Sequence, residues 1–518
     1  MTATRLPAGA PPLPHRRWRA RLAPLATLET LTIALGAWFV IAYLVAALLR
    51  LQYPFEIEWM EGAIVDHVRR VMAGQKLYVQ PSLRFVPFIY PPLYFYLGAL
   101  VSAPFGPGIF PLRLLSIAAS LGCFALIFAF VRRESGHSRS AFLAVAFFAA
   151  CYPLSGGWYD LARVDAVLLC LLLGAGYLLR FHGTLTGSLT AALLLVLAFF
   201  TKQSAIVVAI PLLGYAVVMA PRRWLFVSAG CLLTAAAGIW LLNRAHDGWY
   251  WYYVVVLPAR IQQTRAVAAP FWLHDLLPSV SIACALGLSA LLPQRDEQRG
   301  RALFYILMGG GLVTSAWLSR LHAGAHENVL IPAHAAIAML FGLYLARSSG
   351  VASGASAGTS AVLPANVCVI VIVQLGMLIA DPRIEVPTAR DVDMGRQLVA
   401  RIASAPGEVW LPQHGYLASL AGKQTYAHSM AVYDIIRAGD VQDREQLVAE
   451  ARAMLAQQRF DLVIVDRLGW LREDLTRAYE PVGPVFTSPT GFWTRTGMRV
   501  RPQMVYKPRR GPNAEMGQ

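Results

Sequence analysis

Residues 55–96 read FEIEWMEGAIVDHVRRVMAGQKLYVQPSLRFVPFIYPPLYFY and follow the first long apolar segment of the chain. From Glu58 to Ala73, apolar residues recur with helical spacing while acidic residues spread over the rest. This pattern predicts an amphipathic helix that stops at Gly74. Such a helix beside a membrane span would lie flat at the interface and hold carboxylates over a cavity. Charged helix faces are usually only solvated, so a surface helix without a functional role is the open alternative.

The composition of the chain indicates a membrane protein. Of its 518 residues, 57% are hydrophobic and only 14% are charged, whereas about a quarter of the residues of soluble domains are charged. The net charge of +16 would suit a nucleic-acid partner. Much of the basic charge, however, lies in short clusters between apolar segments, where it sets the topology. We therefore expect a multi-pass α-helical membrane protein with no nucleic-acid partner.

About eleven apolar segments predict helices that cross the bilayer. The first follows a basic segment, residues 1–27, which we expect to be disordered and cytoplasmic, and we interpret it as a retained signal anchor. Residues 91–104 are also apolar, but they are short and bounded by prolines. Treating them as a re-entrant or interfacial helix places every arginine cluster inside, as the positive-inside rule favours. The predicted spans are Leu28–Leu49, Arg113–Val131, Ser140–Leu154, Val164–Phe181, Leu185–Phe200, Ser204–Ala220, Trp224–Leu242, Leu276–Leu292, Ala302–Leu318, Val329–Ala346 and Val362–Ala380.

This topology brings many polar side chains to one extracytoplasmic face, which includes a first loop at residues 50–112. Charges beside membrane segments are costly and usually mark a pathway or a site. Taken singly, Asp165 could pair with Arg163, and Lys202 could be a snorkelling interface anchor. Because several clusters converge on one side, we favour a site. The residues concerned are Glu56, Glu58, Glu61, Asp160, Asp165, Lys202, Gln203, His246, Asp247, Asp275, Arg320, His322, His326, Glu327 and Asn328.

Beyond residue 380 the composition shifts towards that of a soluble domain. Residues 381–506 alternate candidate helices with candidate strands, which predicts a small α/β domain. The domain follows an odd number of spans and is therefore expected outside, and residues 507–518 are expected to be a disordered tail. The predicted elements are the helices Asp391–Ser404 and Val441–Arg459 and the strands Glu408–Leu411, Asp461–Asp466 and Gly491–Arg495.

Several other functional classes lack support in the sequence. The chain has no Walker A motif, no HExxH zinc motif and no GxSxG elbow. Its six cysteines all lie in apolar segments without a CxxC pattern, so neither a disulfide framework nor a cysteine metal site is expected. No internal repeat of 20 to 50 residues is evident, which argues against an inverted-repeat transporter.

Four motifs occur in order along the chain: the acidic cluster after the first span, YPPL at 90–93, RVDA at 163–166 and TKQ at 201–203. In this combination the chain resembles the GT-C membrane glycosyltransferases over roughly residues 28–346. The most similar branch contains lipid A aminoarabinose transferases and protein O-mannosyltransferases. The family usually has Asp-Glu in the first loop, where this chain has Glu58 and Glu61. Which glutamate replaces the family's catalytic aspartate is left open.

The resemblance implies an inverting glycosyltransferase, a hexosyl- or pentosyltransferase, in the bacterial cytoplasmic membrane. It would move a sugar from a polyprenyl-phosphate donor to a lipid, glycan or protein acceptor outside, within a bilayer whose lipids surround it. The acceptor hydroxyl then needs a carboxylate base, and the leaving phosphate needs cations or hydrogen-bond donors. No spacing of acids and histidines requires a divalent metal ion, although one is compatible with them.

The resemblance assigns roles to residues of this chain. Glu58 is the first candidate for the base and Glu61 the second, and Asp165 would orient the acceptor or a cation. Lys202, Arg320 and His326 would bind the donor phosphate. We expect the C-terminal domain to cover the cavity and to help select the acceptor without supplying the base or the phosphate ligands. Further substrate-binding candidates are Glu56, Tyr90, Tyr94, Asp160, His322 and Asn328.

Two other functions remain as alternatives. A transporter or flippase of lipid-linked saccharides could use the same charged cavity as a pathway, and a polysaccharide polymerase or ligase would use a lipid-linked oligosaccharide donor. A transporter should distribute its functional charges through the depth of the membrane. The charges of this chain gather at one predicted face beside a soluble domain, which favours the transferase.

Overall fold

The structure, a computed structural model, describes residues 14–292, 299–349 and 363–509. It consists of a helical bundle followed by a small C-terminal domain, and this confirms the predicted fold class. Each of the eleven predicted spans coincides with a helix. The helices of the bundle that correspond to these spans are Pro14–Leu51, Ile109–Ser135, Ser138–Ala150, Asp165–Phe181, Leu185–Thr201, Ala205–Met219, Pro221–Ala245, Leu277–Ser289, Arg299–Arg320, Ile331–Ser348 and Ala365–Gly376.

Within the described residues, six helical segments are long and apolar enough to cross a membrane. Several of the other helices are apolar but only 10 to 17 residues long. The count of eleven membrane crossings therefore stays a prediction. The six segments are Thr27–Leu51, Ile109–Ser135, Pro221–Ala245, Arg265–Ser289, Arg299–Arg320 and Glu327–Ser348.

The helix Ile331–Ser348 lies at the centre of the bundle. Its sequence is rich in alanine, and small residues let neighbouring helices approach closely. At Gly342, an added Cβ would lie 2.6 Å from the Cβ of Ala144, which is too close for any larger residue without movement. The segment just before this helix carries His326 and Asn328.

The amphipathic helix begins later than predicted and is not on the surface. It runs from Glu61 to Met72 and ends, as predicted, at Gly74, which has a left-handed φ of +66°. Both Ile64 and Val68 are fully buried, and so is Glu61. The alternative of a solvated surface helix is therefore wrong, and the acidic residues need an explanation other than contact with water.

Two further stretches of the bundle test the sequence expectations. The first helix begins at Pro14 and residues 1–13 lie outside the described parts, so the disorder expected for residues 1–27 stays a prediction. The proline-bounded apolar segment forms the ten-residue helix Leu93–Ser102. That helix is much shorter than a bilayer-spanning helix of about 20 residues.

The C-terminal domain, residues 381–509, contains a four-stranded mixed sheet of order β1-β2-β4-β3. Strand β1 pairs in parallel with β2, and β4 runs antiparallel to both β2 and β3. Parallel neighbours need a long crossover, which three helices provide between β1 and β2. The strands are β1 Glu408–Trp410, β2 Phe460–Val465, β3 Tyr479–Pro484 and β4 Met504–Pro508, and the helices are Ala389–Ala403, Gly415–Leu420, Ser429–Ala438, Val441–Ala456 and Arg472–Ala478.

The predicted strand Gly491–Arg495 is wrong. Its backbone bonds elsewhere: the amide of Phe492 donates to Asp391 Oδ1 at 2.5 Å and the amide of Arg495 donates to the carbonyl of Ile57 at 2.9 Å. Two strands, β3 and β4, take its place in the sheet. Because β4 includes residues 507 and 508, the predicted tail is wrong for these two, and residues 510–518 lie outside the described parts.

Candidate active site

Three buried glutamates lie where the helical bundle meets the C-terminal domain. Glu56, Glu58 and Glu61 expose only 8%, 1% and 0% of their surface. Glu56 and Glu58 belong to residues 55–60, called the acidic loop below, and Glu61 begins the following helix. Buried carboxylates persist only when they are paired, hydrogen-bonded or neutralised, and the three satisfy this requirement in different ways.

Glu61 is held in a bidentate ion pair with Arg113. Arg113 Nε donates to Oε1 at 2.9 Å and Nη2 donates to Oε2 at 2.6 Å. The amides of Ala162 and Ile57 also donate to the two carboxylate oxygens, at 3.0 and 2.8 Å. Burial opposes ionisation of Glu61, but Arg113 and the amides outweigh it and lower the pKa. The carboxylate is therefore saturated with donors and ties the acidic loop to the neighbouring segments.

Glu58, in contrast, lines a cavity. Its Oε2 lies 3.3 Å from Arg163 Nη1 and accepts a hydrogen bond from the amide of Met60 at 3.2 Å. Burial raises the pKa of Glu58 to about 7, although the nearby Arg163 opposes the shift. A carboxylate whose pKa lies near neutrality and which borders a cavity is suited to proton transfer.

Arg163 connects Glu58 to the aromatic YPPL segment. Its Nη2 donates to the hydroxyl of Tyr90 at 3.0 Å, and its guanidinium lies 6.0 Å from the ring centroid of Trp158. Only 4% of the residue is exposed, and its Nε is buried without a hydrogen-bond partner among the residues that the structure describes. Arg163 thus offers a desolvated cation and an unused donor at the cavity wall.

Two side chains hold the backbone of the segment before the two prolines. The amide of Phe88 donates to His67 Nε2 at 2.8 Å, and Gln203 Nε2 donates to the carbonyl of Ile89 at 2.6 Å. The ring of His67 also stacks on Phe88, with centroids 4.7 Å apart. This anchoring places the ring of Tyr90 at the cavity wall beside Arg163.

Lys202 provides a second cation, held by Asp165. The ammonium lies 2.9 Å from Asp165 Oδ1, and the same oxygen accepts a hydrogen bond from Asn328 Nδ2 at 3.1 Å. Asp165 Oδ2 is buried without a partner in the described residues. Lys202 follows the end of the helix Leu185–Thr201, while Asp165 opens the helix Asp165–Phe181. The ion pair therefore joins the C-terminal end of one helix to the N-terminal end of the other.

These groups enclose a cavity of about 400 Å³ between the bundle and the C-terminal domain. Its wall combines apolar and aromatic surface with a few convergent polar groups, as ligand sites usually do. The lining residues are Glu58, Met60, Phe88, Ile89, Tyr90, Trp158, Arg163, Lys202, Gln203, Ser204, Val207, Pro258, Gln263, Ser315, Leu318, Ser319, His322, Ala323, Gly324, Ala325, His326, Asn328, Val329, Met430 and Asp434.

The cavity brings together half of the residues that the sequence predicts for the site. Burial lowers the pKa values of both His322 and His326, which favours the neutral form of each side chain. His326 also stacks against Trp158, with ring centroids 6.0 Å apart. The predicted residues in the cavity wall are Glu58, Tyr90, Lys202, His322, His326 and Asn328.

Other predicted site residues lie behind the wall and have structural partners. Arg320 pairs with Asp275 at 2.7 Å, and Asp160 pairs with Arg50 at 3.1 Å. The hydroxyl of Tyr94 lies 3.1 Å from that of Ser116. Glu61 forms its ion pair with Arg113, and Asp165 forms its ion pair with Lys202, as described above. These residues therefore support the site from behind its wall and do not line this cavity.

Glu56 instead joins the acidic loop to the C-terminal domain. Its Oε2 lies 2.8 Å from His414 Nδ1, and Asp466 Oδ2 lies 3.1 Å from His414 Nε2. Both ring nitrogens face carboxyl groups, and when both carboxyl groups are ionised each nitrogen must donate, as in a doubly protonated imidazolium. Burial opposes that charge, but Asp466 and Glu56 outweigh it and raise the pKa of His414 to about 10.

A second histidine of the C-terminal domain secures the same loop. His428 Nε2 lies 3.1 Å from the carbonyl of Trp59, and the two rings are 4.8 Å apart. Burial, with the charge of His414 adding to it, lowers the pKa of His428 to about 3. A neutral His428 donates one hydrogen bond to the loop, so the C-terminal domain holds the backbone on either side of Glu58.

The described residues contain no group of three or more His, Cys, Asp or Glu side chains placed to hold a metal ion. The acidic cluster is instead balanced by arginine, lysine and imidazolium.

Several residues of the cavity wall are missing from the predicted set, and among them are Arg163, Trp158 and Asp434. Arg163 is the first residue of the RVDA motif, so the motif could have identified it as a site residue. Trp158 precedes the same motif and has no distinguishing pattern. Asp434 comes from the C-terminal domain, and nothing in its local sequence marks it.

This chain matches a known protein family over part of its sequence, and its fold is similar to that of solved structures. Residues 90–257 match the family model of dolichyl-phosphate-mannose-protein mannosyltransferases. The crystal structure of ArnT from Cupriavidus metallidurans in the apo state is similar with a TM-score of 0.62 at 14% identity, over 91% of this chain and 97% of that chain. The structure of the same protein bound to undecaprenyl phosphate gives 0.60 at 13% identity, with the same coverage.

A third solved structure, the Archaeoglobus fulgidus oligosaccharyltransferase in complex with zinc and sulfate, has a TM-score of 0.45 at 12% identity, over 87% of this chain and 72% of that chain. This likeness is too weak to support a conclusion. Curated protein sequences give no significant match. The likeness to ArnT confirms, at the level of the fold, the resemblance that the sequence motifs indicate.

Proposed function

We propose that this chain, whose fold is that of the GT-C membrane glycosyltransferases, transfers a sugar from a polyprenyl-phosphate donor to a hydroxyl group of a lipid, glycan or protein. One observation carries the proposal: Glu58, a buried carboxylate whose pKa lies near 7, borders the same cavity as the desolvated cations Arg163 and Lys202. The crystallised complex of ArnT with undecaprenyl phosphate supports the choice of donor class.

The proposed reaction uses Glu58 as a general base. Glu58 accepts the proton of the acceptor hydroxyl while the acceptor oxygen attacks the anomeric carbon from the face opposite the phosphate. The bond between the anomeric carbon and the phosphate oxygen breaks, and its electron pair leaves with the polyprenyl phosphate. The configuration at the anomeric carbon is therefore inverted.

Arg163 and Lys202 would hold the phosphate of the donor. Preorganised cations in a water-poor site stabilise the charge that develops on a leaving group. Arg163 now pairs with Glu58, so a phosphate that draws Arg163 away would also free the carboxylate for proton transfer. Donor binding and activation of the base are thereby linked through one guanidinium. Asp165 and Asn328 would keep Lys202 aimed at the phosphate.

The apolar part of the cavity wall would accommodate the start of the prenyl chain. We place the cavity and the C-terminal domain on the outer side of the cytoplasmic membrane, because this orientation keeps the arginine clusters inside. The N-terminus is then cytoplasmic. No feature of the cavity favours transport over transfer, since its charged groups gather at one end of the bundle.

The test is a transfer assay with full-length protein in liposomes. A radiolabelled sugar on undecaprenyl phosphate is supplied together with extracted envelope lipids, and labelled products are separated with and without EDTA. We expect a labelled acceptor and release of undecaprenyl phosphate. Movement of the intact labelled donor across the liposome membrane without any new product would favour a flippase instead.

A further inference from the structure

The C-terminal domain contributes a carboxyl group to the cavity. Asp434 and Met430 lie one turn apart on the helix Ser429–Ala438, and both line the cavity wall. Only 5% of Asp434 is exposed. Its carboxyl group forms no hydrogen bond and no ion pair with any residue in the described parts of the chain. A carboxylate on an ordinary solvated helix face would be far more exposed.

A buried carboxyl group without a donor is destabilising. Burial raises the pKa of Asp434 to about 7, and Arg437 opposes the shift only in part. The other buried residues of this helix, such as Ala431, Val432 and Ile435, pack into the apolar core and need no partner. The missing partner of Asp434 therefore has to come from the cavity.

The charge of the cavity wall indicates what this partner can be. The cations Arg163 and Lys202 belong to the bundle, whereas the acidic side chain of Asp434 belongs to the C-terminal domain. A phosphate beside Asp434 would be repelled. Asp434 therefore suits a part of the substrate that is uncharged or positive and that donates hydrogen bonds.

We propose that Asp434 is a specificity-determining residue that accepts a hydrogen bond from a hydroxyl or ammonium group of the bound saccharide substrate. The proposal rests on the proposed glycosyltransferase function and adds a contact to it. The donor sugar and a saccharide acceptor both carry such groups, so the test has one arm for each. A site that is built to hydrogen-bond a hydroxyl group strongly rejects ligands that lack this group, because its buried polar atoms are then left unpaired.

The test compares full-length protein with Asp434→Asn, which preserves shape and removes the strong acceptor. Asp393→Asn is the matched control, because Asp393 lies on the surface of the same domain in an exposed pair with Arg396. Three quantities are measured: affinity for undecaprenyl phosphate, affinity for a monosaccharide linked to undecaprenyl phosphate, and KM for the envelope-lipid acceptor in the transfer assay.

For Asp434→Asn we expect unchanged affinity for undecaprenyl phosphate and a loss of about tenfold or more in one of the other two quantities. A loss of affinity for the sugar-linked lipid assigns Asp434 to the donor sugar, and a raised KM assigns it to the acceptor. The thermal midpoint should not fall, because the substitution removes an unpaired buried charge. Substitution of a purely structural residue would instead lower the thermal midpoint and leave the two affinities and the KM unchanged.

Two results would overturn the proposal in distinguishable ways. If the parent protein binds no undecaprenyl phosphate, the proposed function fails and the role of Asp434 fails with it. If the parent binds it and Asp434→Asn equals the parent in all three quantities, only the role of Asp434 fails. Should Asp434→Asn prove unstable, the smaller Asp434→Ser is measured in the same way, and parent-like values again count against the proposal.

Discussion

Glu58 and Glu61 are three positions apart in the chain, yet their surroundings differ in every respect that matters for chemistry. Glu58 borders the cavity, has one cationic neighbour and has a pKa raised to about 7 by burial. Glu61 is fully buried, accepts from Arg113 with both oxygens and has a lowered pKa. Of these two glutamates, only Glu58 combines access to the cavity with a pKa near neutral pH.

Replacing Glu58 by glutamine should lower turnover by about 10²-fold or more, because a carboxamide cannot accept the proton of the acceptor. The parent should also gain activity as the pH rises through about 7, where Glu58 loses its proton, and this limb should be absent in the variant. Turnover is measured in the transfer assay, and circular dichroism checks the fold. Parent-like turnover would exclude Glu58 as the base.

The change Glu61→Gln should act on stability instead. It leaves Arg113 buried without its counter-charge, and breaking a buried pair in this way costs about 3–5 kcal/mol. We therefore expect a lower thermal midpoint for Glu61→Gln than for Glu58→Gln, measured on detergent-purified protein. A stable Glu61→Gln protein that binds donor and has lost turnover would instead transfer the role of base to Glu61.

Lys202→Met should weaken binding of undecaprenyl phosphate by about tenfold or more, because a hydrogen bond between charged groups is lost in a desolvated site. Lys76→Met is the matched control, since the ion pair of Lys76 with Asp247 is exposed. Affinity is measured by titration of each protein with the lipid. If Lys202 only anchors the helix at an interface, the two variants will bind alike.

The acidic loop owes its conformation to elements from two parts of the chain. Its N-terminal half is held by His414, its centre by the backbone of Arg495, and Trp59 by His428. The C-terminal domain thus supplies no base in the proposed reaction, but it supports the loop that carries the base. Loss of the domain would remove these contacts together.

The contact through His414 predicts a pH dependence. The folded pKa of about 10 lies above the unfolded value of about 6.5, so the folded state binds the extra proton. The stabilisation is complete below pH 6.5 and is lost as the pH rises towards 10. Thermal midpoints measured between pH 7 and pH 10 should fall more steeply in the parent than in His414→Gln. Equal slopes would show that the imidazolium does not hold the domains together.

The predicted orientation of the protein in the membrane depends on its arginine clusters, which are expected on the cytoplasmic side. If the arginine clusters are cytoplasmic, Arg132 and Asp393 lie on opposite sides of the membrane. We expect a membrane-impermeant thiol reagent to label Asp393→Cys in intact cells and to label Arg132→Cys only after permeabilisation. Labelling of both sites from the same side would contradict the predicted topology.

The sequence alone was sufficient for the apolar helices of the bundle and for part of the sheet. The eleven apolar segments all coincide with helices, and the apolar run of β2 is a buried strand, because burial of apolar residues depends mainly on local composition. The strand predicted at Gly491–Arg495 failed for a different reason. A strand exists only through its pairing partner, and this backbone found Ile57 and Asp391 instead of a neighbouring strand.

The sequence likewise predicted only part of the candidate site. The ordered motifs pointed to Glu58, Tyr90 and Lys202, because a motif records residue types at local spacings. Only the tertiary structure distinguished Glu58 from Glu61, since Arg113, which saturates Glu61, is 52 positions away in the chain. It alone brought Asp434 from another domain into the cavity wall. Charges and hydrogen bonds act over a few ångströms in space, so the partner that decides the role of a residue is fixed only when folding places it there.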